Sequence, residues 1–221
     1  FGPMPDRWIP LIAVLAAMTV FYGNLAALPQ QNIKRLMGYS TIGHAGYLMM
    51  GLAAAPFGGI LALSYYMLAY LFTNLCVFMV IIVVSQSTGS DEIDDYAGLA
   101  QRSPFLAAAM FLALLSLAGV PPLGGFFGKF LVISSVVHSG MIWLALIGSV
   151  NVVISLYYYL MIVRQMYSVE PKNATPIPVN TAMKWAISSA MAGILVLGIY
   201  QGPFYELANQ AGKFITTVAI R

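Results

Sequence analysis

The sequence predicts an all-α protein that crosses a membrane several times, and three observations support this. Of its 221 residues, 60% are hydrophobic and only 8% are charged, and the mean hydropathy is +0.85. Soluble domains carry about a quarter charged residues, so an ordinary soluble fold is excluded. Uncharged runs of about 20 residues or more recur along the chain, and each can form a spanning helix. Nearly all prolines fall between these runs, where their missing N–H group is tolerated.

Six spans are predicted, at approximately residues 8–28, 37–54, 60–85, 104–137, 141–163 and 183–201. The uncharged run 36–90 must hold two of them, because Ala55-Pro56-Phe57-Gly58-Gly59 is typical of a turn. We divide the chain into a five-span unit, residues 1–168, and a region 169–221 with a connection and the last span. No signal peptide is predicted, and since the chain begins at Phe1 we expect further residues upstream.

Charge predicts the orientation of the spans and the classes of partner. The side that follows the first, third and fifth spans holds six basic residues, whereas the other holds three: Lys34, Arg35, Arg102, Arg164, Lys172 and Lys184, against Arg7, Lys213 and Arg221. Because cytoplasmic loops carry the excess, both ends of the chain are predicted on the non-cytoplasmic side. The net charge of +3 is scattered, which argues against nucleic acid as a partner. The single cysteine, Cys76, excludes an internal disulfide and a cysteine-based metal site.

The fourth span contains a break. Pro121 and Pro122 should interrupt the helix, and Gly124 and Gly125 should keep the freed segment mobile. As one helix, residues 104–137 would measure roughly 50 Å, more than the ~30 Å hydrocarbon core. We therefore predict two half-helices, with the break surrounded by protein or water because lipid cannot satisfy free backbone groups.

Lys129 lies about two turns beyond the break and is the first candidate site residue. A charge inside a span is costly and marks a functional site by default. Because burial favours the neutral amine, such a lysine can gain and lose a proton. The alternative is a structural lysine whose ammonium lies against the carbonyl end of a half-helix.

His44 is the second candidate. It lies inside the second span, and its ordinary titration range is near neutral pH. Ser40 and Thr41, one turn earlier, could hydrogen-bond to it or to water. Gly43 and Gly46 leave room for a neighbouring helix. A proton relay and a satisfied packing histidine are equally compatible with the sequence.

No redox or hydrolytic site is visible. The chain lacks a cysteine set for iron–sulfur clusters, a phosphate-binding loop, a dinucleotide fingerprint and histidine pairs for haem, and no metal site is predicted. Two classes of function remain: a membrane component that handles a small ion, and a scaffold.

Four segments resemble one known family. Residues 31–47, the run Tyr96-Ala97-Gly98-Leu99, residues 115–130 and the run Leu156-Tyr157-Tyr158-Tyr159-Leu160 resemble, in order and spacing, the subunit N family of NADH-quinone oxidoreductase, respiratory complex I. The resemblance covers nearly the whole chain and corresponds to the C-terminal part of that antiporter-like subunit.

The resemblance implies a proton-translocating module of two inverted five-helix repeats, each with a broken helix. Lys129 falls on the broken-helix lysine of the second repeat, and His44 falls in the helix that supplies the polar chain along the membrane midplane. It implies no cofactor in this chain, with quinone, flavin and iron–sulfur clusters in partner subunits. The implied partners are neighbouring antiporter-like and small membrane subunits in a bacterial inner membrane. The family's glutamate–lysine pair and central lysine belong to a first half that this sequence lacks.

Three functions therefore remain open. The first is the second half-channel of a redox-driven proton pump. The second is a subunit of a multisubunit sodium/proton antiporter or a membrane-bound hydrogenase. The third is a structural membrane subunit, which a dry environment around Lys129 would favour.

Overall fold

The computed structural model describes residues 5–171 and 175–219, with side chains described for 8–171 and 175–212. The described chain is helical apart from its connections. The helices are α1 Pro5–Ala27, α2 Ile33–Ala53, α3 Gly59–Thr88, α4 Leu99–Arg102, α5 Pro104–Ala118, α6 Gly124–His138, α7 Ile142–Ser168, α8 Thr181–Ile199 and α9 Gly202–Ala219. Short 3-10 helices form at Ala55–Phe57 and Ile93–Tyr96.

Length and composition make four of these stretches long and apolar enough to span a membrane: Trp8–Ala27, Gly59–Thr88, Ile142–Ser168 and Thr181–Ile199. Helices α5 and α6 have 15 residues each, which gives about 22 Å per helix, less than a full crossing. They are the two half-helices of the predicted broken span. The all-α, multi-pass membrane bundle is confirmed.

Helix α2 begins a turn earlier than predicted, at Ile33 rather than Met37. Asn32 is its N-cap, and its side chain accepts a hydrogen bond from the Arg35 backbone N–H at 3.1 Å. The prediction started the span after the charged residues Lys34 and Arg35, and it did not consider Asn32 as a helix cap. The helix therefore starts outside the apolar part of its own sequence.

Helix α9 was not predicted. The last span was expected to end near Gln201 and no element was predicted after it, but Gly202–Ala219 forms a further helix that packs on the start of α3. Gly212 is buried there, and a Cβ on it would lie 3.4 Å from the Leu61 backbone nitrogen. Pro203 is tolerated because it lies in the first turn, where no helical hydrogen bond needs its N–H.

Helix α3 occupies the centre of the bundle and contacts α2, α5, α6, α8 and α9. One buried cluster joins it to α5, α7 and α8, and includes Val80, Met110 and Ile194. A second cluster joins α1, α2, α6 and α7, and includes Val20 and Met50. The core thus holds α2, α6 and α7 in fixed positions around the candidate residues.

Glycines let α1 and α2 approach closely, as the Gly43 and Gly46 spacing predicts. A Cβ on Gly46 would lie 2.7 Å from the Val20 backbone nitrogen, and one on Gly23 would lie 2.3 Å from the Gly43 nitrogen. Neither separation is possible for real side chains, so these positions require glycine. This contact fixes α2, the helix that carries His44, against α1.

The connections α1–α2, α3–α4 and α7–α8 meet at one end of the bundle, here called the connection side. Ile33 N–H donates to the Asp91 carbonyl and Ile93 N–H to the Gln31 carbonyl, both at 2.8 Å. Lys34 forms an ion pair with Asp91 at 2.7 Å, and Ser85 donates to the same carboxylate. The Lys34 ammonium, and then the Ser85 hydroxyl, hold the pKa of Asp91 below its usual value.

Of the basic residues used to predict orientation, Lys172 and Arg221 lie outside the described residues. The side chains of Arg7 and Lys213 are likewise not described. The orientation stays a prediction.

Candidate functional site

The break between α5 and α6 begins at a glycine that the prediction overlooked. Gly119 has φ +86°, the left-handed conformation that favours glycine. Its N–H donates to the Ser116 carbonyl at 3.0 Å, and the Val120 N–H donates to the Leu115 carbonyl at 3.0 Å. This is the Schellman arrangement that ends helices, and a glycine followed by a proline two residues later is its sequence signal. Pro121 and Pro122 follow, joined by a cis peptide bond.

The Schellman bonds leave the carbonyls of Leu117 and Ala118 without backbone donors, and Lys129 supplies the donor. Its Nζ donates to the Leu117 oxygen at 2.7 Å and lies 3.4 Å from the Ala118 oxygen. The ammonium thus sits on the negative end of α5, where the helix dipole favours a cation. The Lys129 side chain is 3% exposed. Residue 129 itself lies in the second turn of α6, beyond the break as predicted, and its side chain reaches back to the end of α5.

Apart from these carbonyls, the nearest described partner of the Lys129 ammonium is the ring of Tyr47, whose centroid is 5.1 Å from Nζ. In the part of the chain that the structure describes, no carboxylate lies within ion-pair distance of Lys129. A cavity of about 290 Å³ adjoins it, lined mainly by Phe126, Phe130 and Ile133, with Ser149 as its hydroxyl group. The surroundings are therefore apolar but not closed.

The two hinge glycines bring α6 against its neighbours. A Cβ on Gly125 would lie 1.9 Å from the Ser116 carbonyl oxygen, and its N–H donates to Ser116 Oγ at 3.2 Å. A Cβ on Gly124 would lie 3.0 Å from Leu197 Cβ. Both glycines belong to the first turn of α6 and serve close packing. Their predicted mobility stays a prediction.

His44 lies between two tyrosines. Its Nδ1 is 2.5 Å from the Tyr66 hydroxyl of α3, and its Nε2 is 3.2 Å from the Tyr159 hydroxyl of α7. The ring of Tyr70 packs on the imidazole at 4.8 Å between centroids. A neutral imidazole has one donor and one acceptor, so one tyrosine donates to it and the other accepts from it. Proton transfer through His44 would exchange these two states.

Ser40 and Thr41 do not bond directly to His44. Ser40 shares a short hydrogen bond with the Tyr159 hydroxyl, so it reaches the histidine through that tyrosine. Thr41 donates to the Met37 carbonyl at 2.9 Å and accepts from the Tyr70 hydroxyl at 3.0 Å. The helical spacing correctly predicted that Ser40 lies on the same face of α2 as His44. The group that joins these two side chains is Tyr159 of α7.

A buried amide pair extends this polar region to α1. Tyr158 donates to Asn24 Oδ1 at 2.9 Å, and Asn24 Nδ2 donates to Asn151 Oδ1 at 3.2 Å. All three side chains are buried. Together with His44, Ser40, Tyr66 and Tyr159 they form a polar cluster, called here the histidine cluster, held by α1, α2, α3 and α7.

The structure brings Lys129 and the histidine cluster to neighbouring positions without a direct hydrogen bond. Tyr47 lies between them: its ring faces Lys129, packs on the Tyr66 ring at 6.2 Å between centroids, and its hydroxyl donates to the Gly148 carbonyl at 2.7 Å. The sequence predicted no role for Tyr66 or Tyr159, because a ring in a span most often packs. Only the helix positions show that Tyr66 and Tyr159 meet at His44.

Comparison with known proteins gives the family. A sequence model described as "NADH:quinone oxidoreductase/Mrp antiporter, TM" matches residues 3–155. The chain is similar to NADH-quinone oxidoreductase subunit N of Desulforamulus reducens, with 45% identity over 96% of this chain and 44% of the relative. It thus spans less than half the length of that relative.

Solved structures show the same fold. A chain of respiratory complex I from Thermus thermophilus is 32% identical, with a TM-score of 0.79, over 89% of this chain and 45% of that one. A chain of the Mrp complex from Dietzia sp. is 21% identical, with a TM-score of 0.87, over 94% of this chain and 47% of that one; this likeness concerns the fold alone. The predicted resemblance is confirmed, and the chain belongs to the transmembrane family of NADH:quinone oxidoreductases and Mrp antiporters.

Proposed function

We propose that this chain is a proton half-channel in the membrane arm of a redox-driven NADH:quinone oxidoreductase. Lys129 exchanges a proton with water at the break, and His44 relays protons laterally through its tyrosine partners. The similarity to subunit N relatives over nearly the whole chain supports this proposal. Quinone reduction belongs to other subunits, which carry the flavin and iron–sulfur clusters.

Among the described residues, the Lys129 ammonium meets neutral groups: the carbonyls of Leu117 and Ala118 and the ring of Tyr47. A structural lysine would also contact the carbonyl end of α5, so the observation that carries the proposal is the lack of a carboxylate beside the ammonium in this part of the chain. A permanent ion pair would hold the charge in place, because loss of the proton would leave a buried carboxylate alone. Lys129 has no such described partner, so the amine can become neutral without stranding an opposite charge. Charge changes in adjoining subunits can then alter its proton affinity.

The assembly follows from the same family. Neighbouring antiporter-like and small membrane subunits, together with lipid, surround the chain in a bacterial inner membrane. Residues 1–168 form the antiporter-like repeat, and 169–221 form a connection with the C-terminal helices. We assign the connection side to the cytoplasm and the chain ends to the other side, because the predicted excess of Lys and Arg supports that orientation.

The test replaces Lys129 in the assembled complex and measures proton pumping in membrane vesicles alongside NADH oxidation. Lys129→Met removes both charge and proton, whereas Lys129→Arg keeps a charge that cannot be released. Lys184→Met is the matched control, because Lys184 is exposed at the start of α8.

Both Lys129 variants should lose pumping while the control retains it. Normal pumping by Lys129→Arg would show that the charge serves only to anchor α5, and normal pumping by Lys129→Met would remove the residue from the mechanism. For His44, pumping that survives His44→Ala would make it a packing residue.

A sodium/proton antiporter subunit is the second candidate, because the fold also matches the Mrp complex chain, with a TM-score of 0.87. Genes for NADH-oxidising and quinone-reducing partners beside this one favour the oxidoreductase. Genes for cation/proton antiporter subunits would favour the antiporter.

A further inference from the structure

The Tyr47 ring faces the Lys129 ammonium in a part of the bundle that excludes water. Lys129 Nζ lies over the ring, 5.1 Å from its centroid. The face of an aromatic ring is negatively polarised and attracts a cation at this distance, most strongly where water is absent. Tyr47 is 1% exposed and Lys129 is 3% exposed, so little water competes with the contact. The ring therefore stabilises the ammonium at this position.

The position of this ring is set by groups other than Lys129. The Tyr47 hydroxyl donates to the Gly148 carbonyl of α7 at 2.7 Å. A Cβ on Gly148 would lie 3.5 Å from Tyr47 Cε1 and 2.7 Å from Met50 Cε, so α7 comes within contact distance of the ring. The ring also packs on Tyr66 of α3 at 6.2 Å between centroids, with 69° between the planes. Helices α2, α3 and α7 thus hold the ring in place for a lysine that comes from α6.

The groups that bind the ammonium are all neutral. The Leu117 and Ala118 carbonyls at the end of α5 accept from it, and the Tyr47 ring attracts it without a hydrogen bond. The lysine stem has four flexible carbons, and a cavity of about 290 Å³ adjoins the residue, so the side chain has room to leave the carbonyls. A neutral ring can oppose that movement while the lysine is charged, and it leaves no buried charge behind when the proton is lost.

We infer that Tyr47 is a positioning residue for Lys129: its ring holds the protonated side chain on the carbonyl end of α5, and its hydroxyl fixes the ring through Gly148. This inference rests on the proposed pumping function and adds the group that keeps the charged lysine at the break. The ring attracts a cation and not a neutral amine, so the contact acts only while the lysine carries its proton. When the proton leaves, the amine becomes free to turn toward the cavity.

The test weakens the face of the ring and keeps its shape. In the full complex, Tyr47 is replaced by phenylalanine and by phenylalanines that carry one, two or three ring fluorines, introduced at an amber codon. Each fluorine draws electrons from the ring face and weakens its attraction for a cation, while the size of the ring hardly changes. The same replacements at Phe111 are the matched control. Phe111 packs on Tyr167 at 5.7 Å between centroids, and among the described residues no cation lies over its ring.

Protons pumped per NADH oxidised and the unfolding temperature in detergent are measured for each variant. Pumping should fall stepwise as fluorines are added at residue 47, by roughly threefold or more between Tyr47→Phe and the ring with three fluorines. The unfolding temperature should stay constant along this series, because a packing role depends on shape and not on the charge of the ring face. Pumping that does not follow the number of fluorines would overturn the inference, and so would an equal response in the Phe111 series.

The Lys129→Met variant separates this inference from the pumping function. If Lys129→Met loses pumping while the fluorinated rings at residue 47 have no effect, the role of Tyr47 alone is overturned. Normal pumping by Lys129→Met would overturn the pump itself, and the role of Tyr47 with it.

Discussion

Replacing Gly125 by alanine tests whether Lys129 works only while α6 lies directly against α5. The added Cβ would lie 1.9 Å from the Ser116 carbonyl oxygen, whereas real Cβ atoms keep at least 3.0 Å. The helices must therefore separate by at least about 1.1 Å, and overpacking of this kind costs roughly 1–3 kcal/mol. If the same shift is added to the 2.7 Å bond from Lys129 to the Leu117 carbonyl, the separation becomes about 3.8 Å, which is no longer a hydrogen bond.

Two measurements on the assembled complex separate folding from function. Thermal unfolding in detergent gives the stability of the subunit, and dye quenching in vesicles gives protons pumped per NADH oxidised. Gly38→Ala is the control, because Gly38 is exposed on α2 and a Cβ there meets nothing within 4 Å. The control should be neutral or more stable by about 0.5–1 kcal/mol, since alanine favours a helix.

Gly125→Ala should lose stability and pump as poorly as Lys129→Met, although the lysine itself is intact. If Gly125→Ala matches Gly38→Ala in both measurements, the close contact between α5 and α6 does not position Lys129. A stability loss with full pumping would also refute this reasoning.

Two further predictions concern other contacts. Gly119→Ala should lower the free energy of unfolding by about 1–2 kcal/mol, because alanine disfavours the left-handed conformation of that residue. It should also lower pumping, because the added Cβ would lie 3.1 Å from Lys129 Cδ. Gly58→Ala is the control: Gly58 has φ +83° and open surroundings, so this variant should lose stability and keep its pumping. Lys34→Met should lower the unfolding temperature at neutral pH, and the difference should vanish as pH falls through the Asp91 pKa, because a carboxylate with a lowered pKa stabilises only while ionised. A difference that persists in acid would show that the ion pair is not its cause.

The existence of the break could be predicted from the sequence, but the residue at which α5 ends could not. Two prolines in an over-long apolar run allow no continuous helix, so two half-helices followed from covalent structure alone. The helix in fact stops at Ala118, before Gly119, because a Schellman end forms there. The same local chemistry set the start of α2 at Asn32, where a side-chain cap outweighed the hydropathy pattern used to place the span.

Helix α9 is an element that the sequence analysis did not predict. Its apolar residues recur at helical spacing, at Phe204, Leu207 and Ala211, but they form no run long enough to span, so a search for membrane spans by hydropathy did not predict it. It forms against the start of α3, where the buried Gly212 lies at ordinary contact distance from Leu61. Helices of this kind gain most of their stability from the surface on which they pack, and that surface lies far away in sequence.

The sequence by itself determined that this chain is a membrane helix bundle, that its fourth span is broken, and that Lys129 and His44 are the first residues to consider as proton carriers. These conclusions need only composition, span length and the chemistry of single residues. The tertiary structure alone decided the partners: Lys129 binds the free carbonyls of α5, and His44 meets tyrosines of α3 and α7. A hydrogen bond between helices depends on how they are placed and rotated, and no local pattern in the chain records that.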